Sequence, residues 1–394
     1  MQLFHRTVNI HMYYRRQIES VLQHYTTIFP VVGLTGPRQS GKSTLLSHLF
    51  RDDYTYVSFD DFKTTTLFYD DPEKFMTIYN DRVVFDEVQK VPEIFNHIKI
   101  AVDRDRENYG KFILTGSSNF LLLRQTTESL AGRIGLLSLL PFQYSEIPEK
   151  LQKDSIFRGG YPELVKRQYA HTDEWYSSYL ETYLSRDIRT VSNIGDLHDF
   201  KRFIRLLSAN TAQILNLSNY SKDIGVAVST IKRWVSVLEA SFVIFLLQPY
   251  FNNYGKRIVK SPKVYFYDTG LVSFLAGIST EAFFEQGPMA GSIFENYVIS
   301  ELLKKELHQG GRGQFYYLRT SHGNEIDLII DRAGSQDFIE IKNSATFKPA
   351  MTKMIEEYKD RKQRGYLLYR GSTVPYLPDI VIQNYSKLLA ATEE

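Results

Sequence analysis

The run Gly36-Pro37-Arg38-Gln39-Ser40-Gly41-Lys42-Ser43 constrains this chain more than any other feature. It satisfies G-x-x-x-x-G-K-[ST], a loop whose glycines let backbone N–H groups curl inward around phosphate oxygens. An apolar run, Val31-Val32-Gly33-Leu34, precedes it, and a helical stretch, Ser43 to Phe50, follows. The helix N-terminus adds positive partial charge where the phosphates would sit. Residues Gly36, Pro37, Arg38, Gln39, Ser40, Gly41, Lys42, Ser43 and Thr44 are therefore the expected ATP cradle. Lys42 would contact the β- and γ-phosphates, and the Ser43 hydroxyl would ligate Mg2+.

Four more apolar runs follow: Tyr54 to Val57, Arg82 to Phe85, Phe112 to Leu114 and Ile134 to Leu140. Short runs rich in Val and Ile, separated by helical stretches, predict buried parallel strands with helices on both faces. The third run ends in Asp86-Glu87. Asp86 would hold the Mg2+ water shell, and Glu87 would orient or deprotonate the attacking water. The Asp-Glu pair fits a hydrolase of the additional-strand class. Thr115, Ser117 and Asn119 end the next run at the same sheet edge, where a γ-phosphate is sensed. A helix cap is the other reading of Asn119. Arg133 is a candidate to reach a nucleotide in a neighbouring subunit, which implies a homo-oligomer; a surface arginine is the alternative.

The order GPRQSGKST, VVFDEVQ, ILTGSSN, SLAGR resembles the AAA-type P-loop ATPases, widespread in bacteria and archaea, that carry a C-terminal domain formerly of unknown function. The resemblance continues at Gly159-Gly160-Tyr161-Pro162-Glu163 and Tyr183-Leu184-Ser185-Arg186-Asp187-Ile188 and covers almost the whole chain. It implies an ATPase core and a nuclease-like C-terminal domain. The chemistry of the two later motifs does not follow from their residues.

The chain has 394 residues, enough for two or three domains by length alone. A 43% hydrophobic content excludes a disordered chain. Lys+Arg (47) nearly balances Asp+Glu (45), so a globally basic nucleic-acid coat is excluded while a local basic patch is not. No cysteine is present, which rules out disulfides, thiolate zinc and iron–sulfur clusters and leaves oxygen-ligated Mg2+ as the expected metal. No apolar run is long enough to span a membrane, and the first residues lack a signal-peptide core, so a cytoplasmic location is expected.

Leu217 to Ile224, Gly225 and Ser229 to Leu238 read as two helices joined by a glycine turn. Ile231, Trp234, Val235 and Leu238 share one helical face, with Ser229 as the expected N-cap. Strand-like Phe242 to Leu247 and Lys263 to Phe266 follow, around a basic connection; that order resembles a winged helix. Lys232 and Arg233 on the second helix, with Lys256 and Arg257 in the connection, are the candidate DNA contacts. A lid or packing module is the competing reading.

The last segment combines Glu295 on a helix, Asp327 on one strand, and Glu340-x-Lys342 on the next. Glu340 and Lys342 are two apart and share a strand face. Carboxylates beside a lysine suit Mg2+ binding, and the pattern looks like that of PD-(D/E)xK nucleases. The expected class is thus multi-domain α/β: a parallel-sheet P-loop core (1–150), a helical lid (151–208), a winged helix (209–280) and a nuclease-like domain (285–394). The functions consistent with it are an ATPase acting on DNA, an ATP-regulated protein-interaction switch with a non-cleaving docking domain, and an ATP-gated nuclease.

Overall fold

The computed structural model describes residues 13–116, 130–184, 197–250, 261–320 and 322–391. Strands β1 (Val31–Thr35), β2 (Thr55–Ser58), β3 (Val83–Asp86), β4 (Phe112–Thr115) and β5 (Ile134–Ser138) form one sheet in the order β2-β3-β4-β1-β5. Every pairing in it is parallel. The strand between β1 and β3 is β4, the additional-strand arrangement that the Asp-Glu pair implied.

Side-chain alternation along the strands feeds two separate cores. Val31, Val57, Val83, Phe85, Phe112 and Leu114 pack on one face against Phe75, Phe95 and Ile98. Val32, Leu34, Val84, Ile113 and Leu137 pack on the other against Ile18, Leu22, Leu45 and Leu46. Each fully buried side chain of this kind contributes about 1.5–3 kcal/mol. Both faces are covered, so the strands read as continuous apolar runs and not as alternating ones.

The remaining strands are β6 (Ile244–Pro249), β7 (Lys263–Phe266), β8 (Gln314–Arg319), β9 (Glu325–Arg332), β10 (Ser335–Lys342), β11 (Arg364–Tyr369) and β12 (Ile380–Asn384). They form a second sheet of seven strands, in the order β12-β11-β10-β9-β8-β6-β7. β6 and β7 are an antiparallel pair, and β6 runs parallel to β8 through Gln248↔Tyr316 and Pro249↔Tyr317. The strands expected to complete a winged helix in the middle segment are therefore the edge of the C-terminal sheet. One core joins the two segments, from Phe142 and Trp234 through Phe266 to Phe294, Ile341 and Leu389.

The expected helix pair is present as Leu217–Ile224 and Val228–Ala240. Gly225 ends the first in the left-handed region, at φ +87°. The second starts two residues earlier than Ser229 as N-cap would set it. Its N-cap is Ala227, whose extended backbone makes no side-chain cap. Helix Ala290–His308 is buried along most of its length, and its neighbours include β5, β7 and β10.

The Gly159-Gly160-Tyr161 motif has a packing role. A Cβ at Gly159 would lie 2.3 Å from Asp268 Oδ1, and one at Gly160 2.5 Å from the Phe142 carbonyl oxygen. Gly160 N–H donates to Asp268 Oδ2 at 2.8 Å, while Tyr176 donates its hydroxyl to Oδ1 at 2.6 Å. Among the described residues, no helix is long and apolar enough to cross a membrane.

Candidate nucleotide site and C-terminal carboxylate cluster

The phosphate loop leaves β1 at its C-terminal end and enters helix Lys42–Phe50. Gly36 (φ +144°), Gln39 (φ +62°) and Gly41 (φ +96°) give the loop its curl. A Cβ at Gly36 would stand 2.1 Å from the Leu139 carbonyl oxygen, so no other residue fits there. Lys42 is buried and folds back into the loop, donating to the Gly36 and Pro37 carbonyls at 2.9 Å each. Ser40 Oγ is buried without a hydrogen-bond partner. A cradle of left-handed turns, an inward lysine on backbone oxygens and an orphaned hydroxyl all fit a polyphosphate ligand.

Asp86, at the end of β3, faces the Ser43 hydroxyl, which donates to its Oδ2 at 3.2 Å. Its other oxygen, Oδ1, accepts from Thr115 Oγ1 at 2.7 Å. Glu87 follows in the left-handed region (φ +56°), and Gln89 Nε2 donates to its carboxylate. The sequence left Gln89 without a role; here it fixes Glu87. Tyr56 escaped the sequence reading. Its hydroxyl donates to Asp86 Oδ2 at 2.5 Å, and burial, followed by that carboxylate, pushes its pKa above the ordinary phenol value. Tyr56 and Ser58 lie on one face of β2, and Ser58 is the register partner of Asp86.

A second missed residue is Arg16. It is buried and donates from Nη1 to the Ser40 carbonyl (2.9 Å) and from Nη2 to the Leu140 carbonyl (2.7 Å), and it pairs with Glu146 at 3.1 Å. Burial alone would raise the pKa of Glu146; Arg16, then His308, more than offsets it and lowers the value. His308, the last residue of the long helix, accepts from Leu140 N at 3.1 Å and meets Gln143 Oε1 at 2.9 Å. The phosphate loop is thereby linked through buried polar groups to the C-terminal region. Beside the loop lies a cavity of about 210 Å3, lined in part by Tyr13, Tyr14, Thr44, Phe142, Pro162 and Lys166.

Arg133 stands just before β5, and its carbonyl accepts from Val31 N at the start of β1, the sheet edge opposite the phosphate loop. Its guanidinium grips Asp103 through two bonds, 2.7 and 3.0 Å. It does not reach the nucleotide site of its own chain. Asn119, Lys256 and Arg257 lie outside the described residues. Lys232 and Arg233 are exposed on helix Val228–Ala240, opposite the buried Ile231, Trp234, Val235 and Leu238.

The C-terminal candidates converge. Lys342 Nζ meets Glu340 Oε2 at 2.6 Å and Asp327 Oδ2 at 3.3 Å, and Ile341 N–H donates to the same Asp327 oxygen at 2.8 Å. Burial pushes Glu295 up to about 7 despite the pull of Lys263. Glu340 is raised too, first by burial and then by Asp327. Sequence reasoning missed three members of this cluster. Lys263 pairs with Glu295 at 3.0 Å and with Glu325, and Tyr265 donates to Glu295 Oε1 at 2.6 Å. Ligand atoms of Glu295, Glu325 and Asp327 lie within 4.8 Å of one another.

Residues 29–148 match the family described as an AAA domain. Residues 149–282 and 290–388 match two domains of unknown function, DUF8612 and DUF4143. Uncharacterized protein Rv2008c of Mycobacterium tuberculosis is 30% identical over 336 residues, covering 84% of this chain and 74% of that protein. The chain belongs to its family. Uncharacterized protein MJ1544 of Methanocaldococcus jannaschii is 24% identical over 329 residues, covering 75% of this chain and 70% of that protein. Among solved structures, the Walker-type ATPase PABY2304 of Pyrococcus abyssi aligns with a TM-score of 0.48 at 16% identity, over 67% of this chain and 96% of that one. The first sheet and its loop are thus an AAA-type P-loop domain, followed by an α/β C-terminal region.

Proposed function

We propose that the protein binds and hydrolyses ATP at the loop Gly36 to Thr44 and applies the resulting motion to DNA. The observation that carries the ATPase reading is the meeting of Ser43 and Asp86 at 3.2 Å with Glu87 next in the chain. In that reading Lys42 moves from the Gly36 and Pro37 carbonyls to the β- and γ-phosphates. Ser43 and Asp86 would hold Mg2+, which when bound would neutralise charge on the phosphate oxygens. Glu87, steadied by Gln89, takes the proton of the attacking water or orients it. The loop and helix dipole hold the phosphates, and the cavity beside Tyr13 and Pro162 is sized for the base. An arginine from a neighbouring copy, Arg133 or another, completes the charge stabilisation in a homo-oligomer.

The test is an ATPase assay with and without single-stranded, duplex and branched DNA. Lys42→Ala is expected to abolish turnover. Glu87→Gln is expected to retain ATP binding and lose about 100-fold or more in rate. Normal hydrolysis by Glu87→Gln would refute the role given to Glu87. The DNA half of the reading draws on exposed Lys232 and Arg233 and on a winged-helix order of elements in 209–280, with 151–208 as the lid. Absence of DNA affinity at low salt would leave an ATP-regulated protein-interaction switch.

A second reading is favoured by Asp327, Glu340, Lys342 and Glu295: a nuclease-like domain over 285–394 that holds Mg2+ on its carboxylates. Incubation with Mg2+ and several DNA forms tests cleavage, and Asp327→Ala should abolish it.

A further inference from the structure

β7 is the edge strand of the seven-stranded sheet, and its first residue, Lys263, is 2% exposed. Its ammonium lies 3.0 Å from Glu295 Oε1 and is bonded to Glu325 Oε1, with Asp327 the next carboxylate facing it. Those same three carboxylates, and no others among the described residues, converge closely enough to share one cation. A lysine ammonium and a divalent ion compete for such a place, because both need several oxygens around a positive centre.

We propose that Lys263 occupies the cation position of the C-terminal carboxylate cluster, so that the site takes a divalent ion only when the Lys263 ammonium withdraws. This rests on the reading of Asp327 and its neighbours as a divalent-cation site. Charge pairing supports it. Glu295 faces Lys263, Glu325 faces Arg319 (3.1 Å) as well as Lys263, and Asp327 faces Lys342 (3.3 Å). With Glu340, which Lys342 also meets at 2.6 Å, four carboxylates face three cations, so the lysines and Arg319 already supply most of the positive charge that a divalent ion would bring. A buried pair of this kind is costly to break from one side only. Independently of the acidic trio, Glu340 Oε1 is buried without a partner, on a carboxyl group that abuts Asp327. The cluster therefore retains an unused ligand atom that the lysines do not satisfy.

The plug comes from a different family segment than the ligands. Lys263 belongs to residues 149–282, whereas Glu295, Glu325, Asp327 and Glu340 belong to 290–388. β7 pairs with β6 on one side, and on the other its backbone is bonded to residues 212–215, including a bridge between Ile214 and Lys263, so the strand is held in place and the movable part of the plug is the Lys263 side chain. A single side chain of the middle segment thus decides whether the carboxylates hold metal.

The experiment is Mn2+ binding to the full chain without nucleotide, followed by electron paramagnetic resonance of free Mn2+. Lys263→Met is expected to gain one site at least tenfold tighter than any in the wild type at this cluster, and Lys263→Met/Glu325→Gln to lose it. Wild type that binds Mn2+ as tightly as Lys263→Met, and loses it on Glu325→Gln, would overturn the plug while sparing the cation site. No gain by folded Lys263→Met up to millimolar Mn2+ would overturn both. If Lys263→Met does not fold, the charge-conserving Lys263→Met/Glu295→Gln carries the same comparison through Glu325, Asp327 and Glu340. ATP turnover at Lys42 reports on the ATPase reading separately.

Discussion

The phenol of Tyr56 donates to Asp86 Oδ2 at 2.5 Å, the oxygen that the Ser43 hydroxyl also reaches. With Thr115 on Oδ1, the carboxylate is held from both sides by neighbouring strands. A hydrogen bond to a charged group contributes about 1.5–3 kcal/mol. Tyr56→Phe is therefore expected to lower ATP turnover by about tenfold and leave the nucleotide dissociation constant unchanged, because the phenol fixes Asp86 and does not touch phosphate. Steady-state kinetics beside equilibrium binding of a fluorescent ATP analogue separates the two.

Gly36 permits no side chain, since a Cβ would fall 2.1 Å from the Leu139 carbonyl oxygen at a backbone φ of +144°. Strain of this kind costs about 1–3 kcal/mol. Gly36→Ala should weaken ATP binding at least tenfold and lower the melting temperature. Unchanged affinity would mean that the loop shifts freely and that its curl is not what holds the phosphates.

His308 gives the fold an acid-sensitive point. Burial is the largest cause of its depressed pKa, moved from 6.5 to about 3; Glu146 opposes the shift, while Arg16 and Lys304 add to it. The unfolded chain takes up a proton near 6.5 that the folded chain refuses until about 3. The contribution is fully present above the unfolded value and is lost as pH falls through that window, by up to about 1.4 kcal/mol per unit. Glu146, whose pKa is lowered, adds a loss of the same sign at more acid pH. Urea unfolding at pH 6.5 and pH 5 should differ by up to about 2 kcal/mol in wild type. The difference should shrink in His308→Gln, and an equal difference in both proteins would remove His308 from the account.

Exposed Lys232 and Arg233 share a helix surface with no ion pair between them and the body of the protein among the described contacts. Each phosphate contact contributes about 0.9 to the slope of log K against log salt. The double alanine variant should flatten that slope for duplex DNA by about 1.8. An unchanged slope would exclude this helix from the interface.

The grouping of the candidate nucleotide site was legible because its pieces are written in adjacent residues: the loop forces the spacing of Gly36, Gly41 and Lys42, and β3 ends directly in Asp86-Glu87. The Asp327, Glu340 and Lys342 grouping was legible too, since antiparallel β9 and β10 bring positions near their ends together. Tyr56, Arg16 and Lys263 were not. Each reaches its partner across the fold, Arg16 to Leu140 and Lys263 to Glu295, and no short spacing encodes such a meeting. The helix cap was misplaced by two residues because an extended Ala227 took the place expected for Ser229. The pairing of Arg133 with Asp103, at the end of helix Ile94–Asp103, was not legible either, since the two stand far apart in the sequence.

The pairing of β6 with β8 has a consequence for how such chains can be cut or recombined. The family boundary between residues 282 and 290 runs through a continuous sheet and a shared core. A fragment beginning at 290 would bare the flank of β8 along Tyr316 and Tyr317, an open template for self-association. Exchange of one segment between relatives without the other would set a foreign edge against β6. The two segments are thus one heritable block, whereas the five-stranded sheet of the AAA domain shares no strand with it among the described residues.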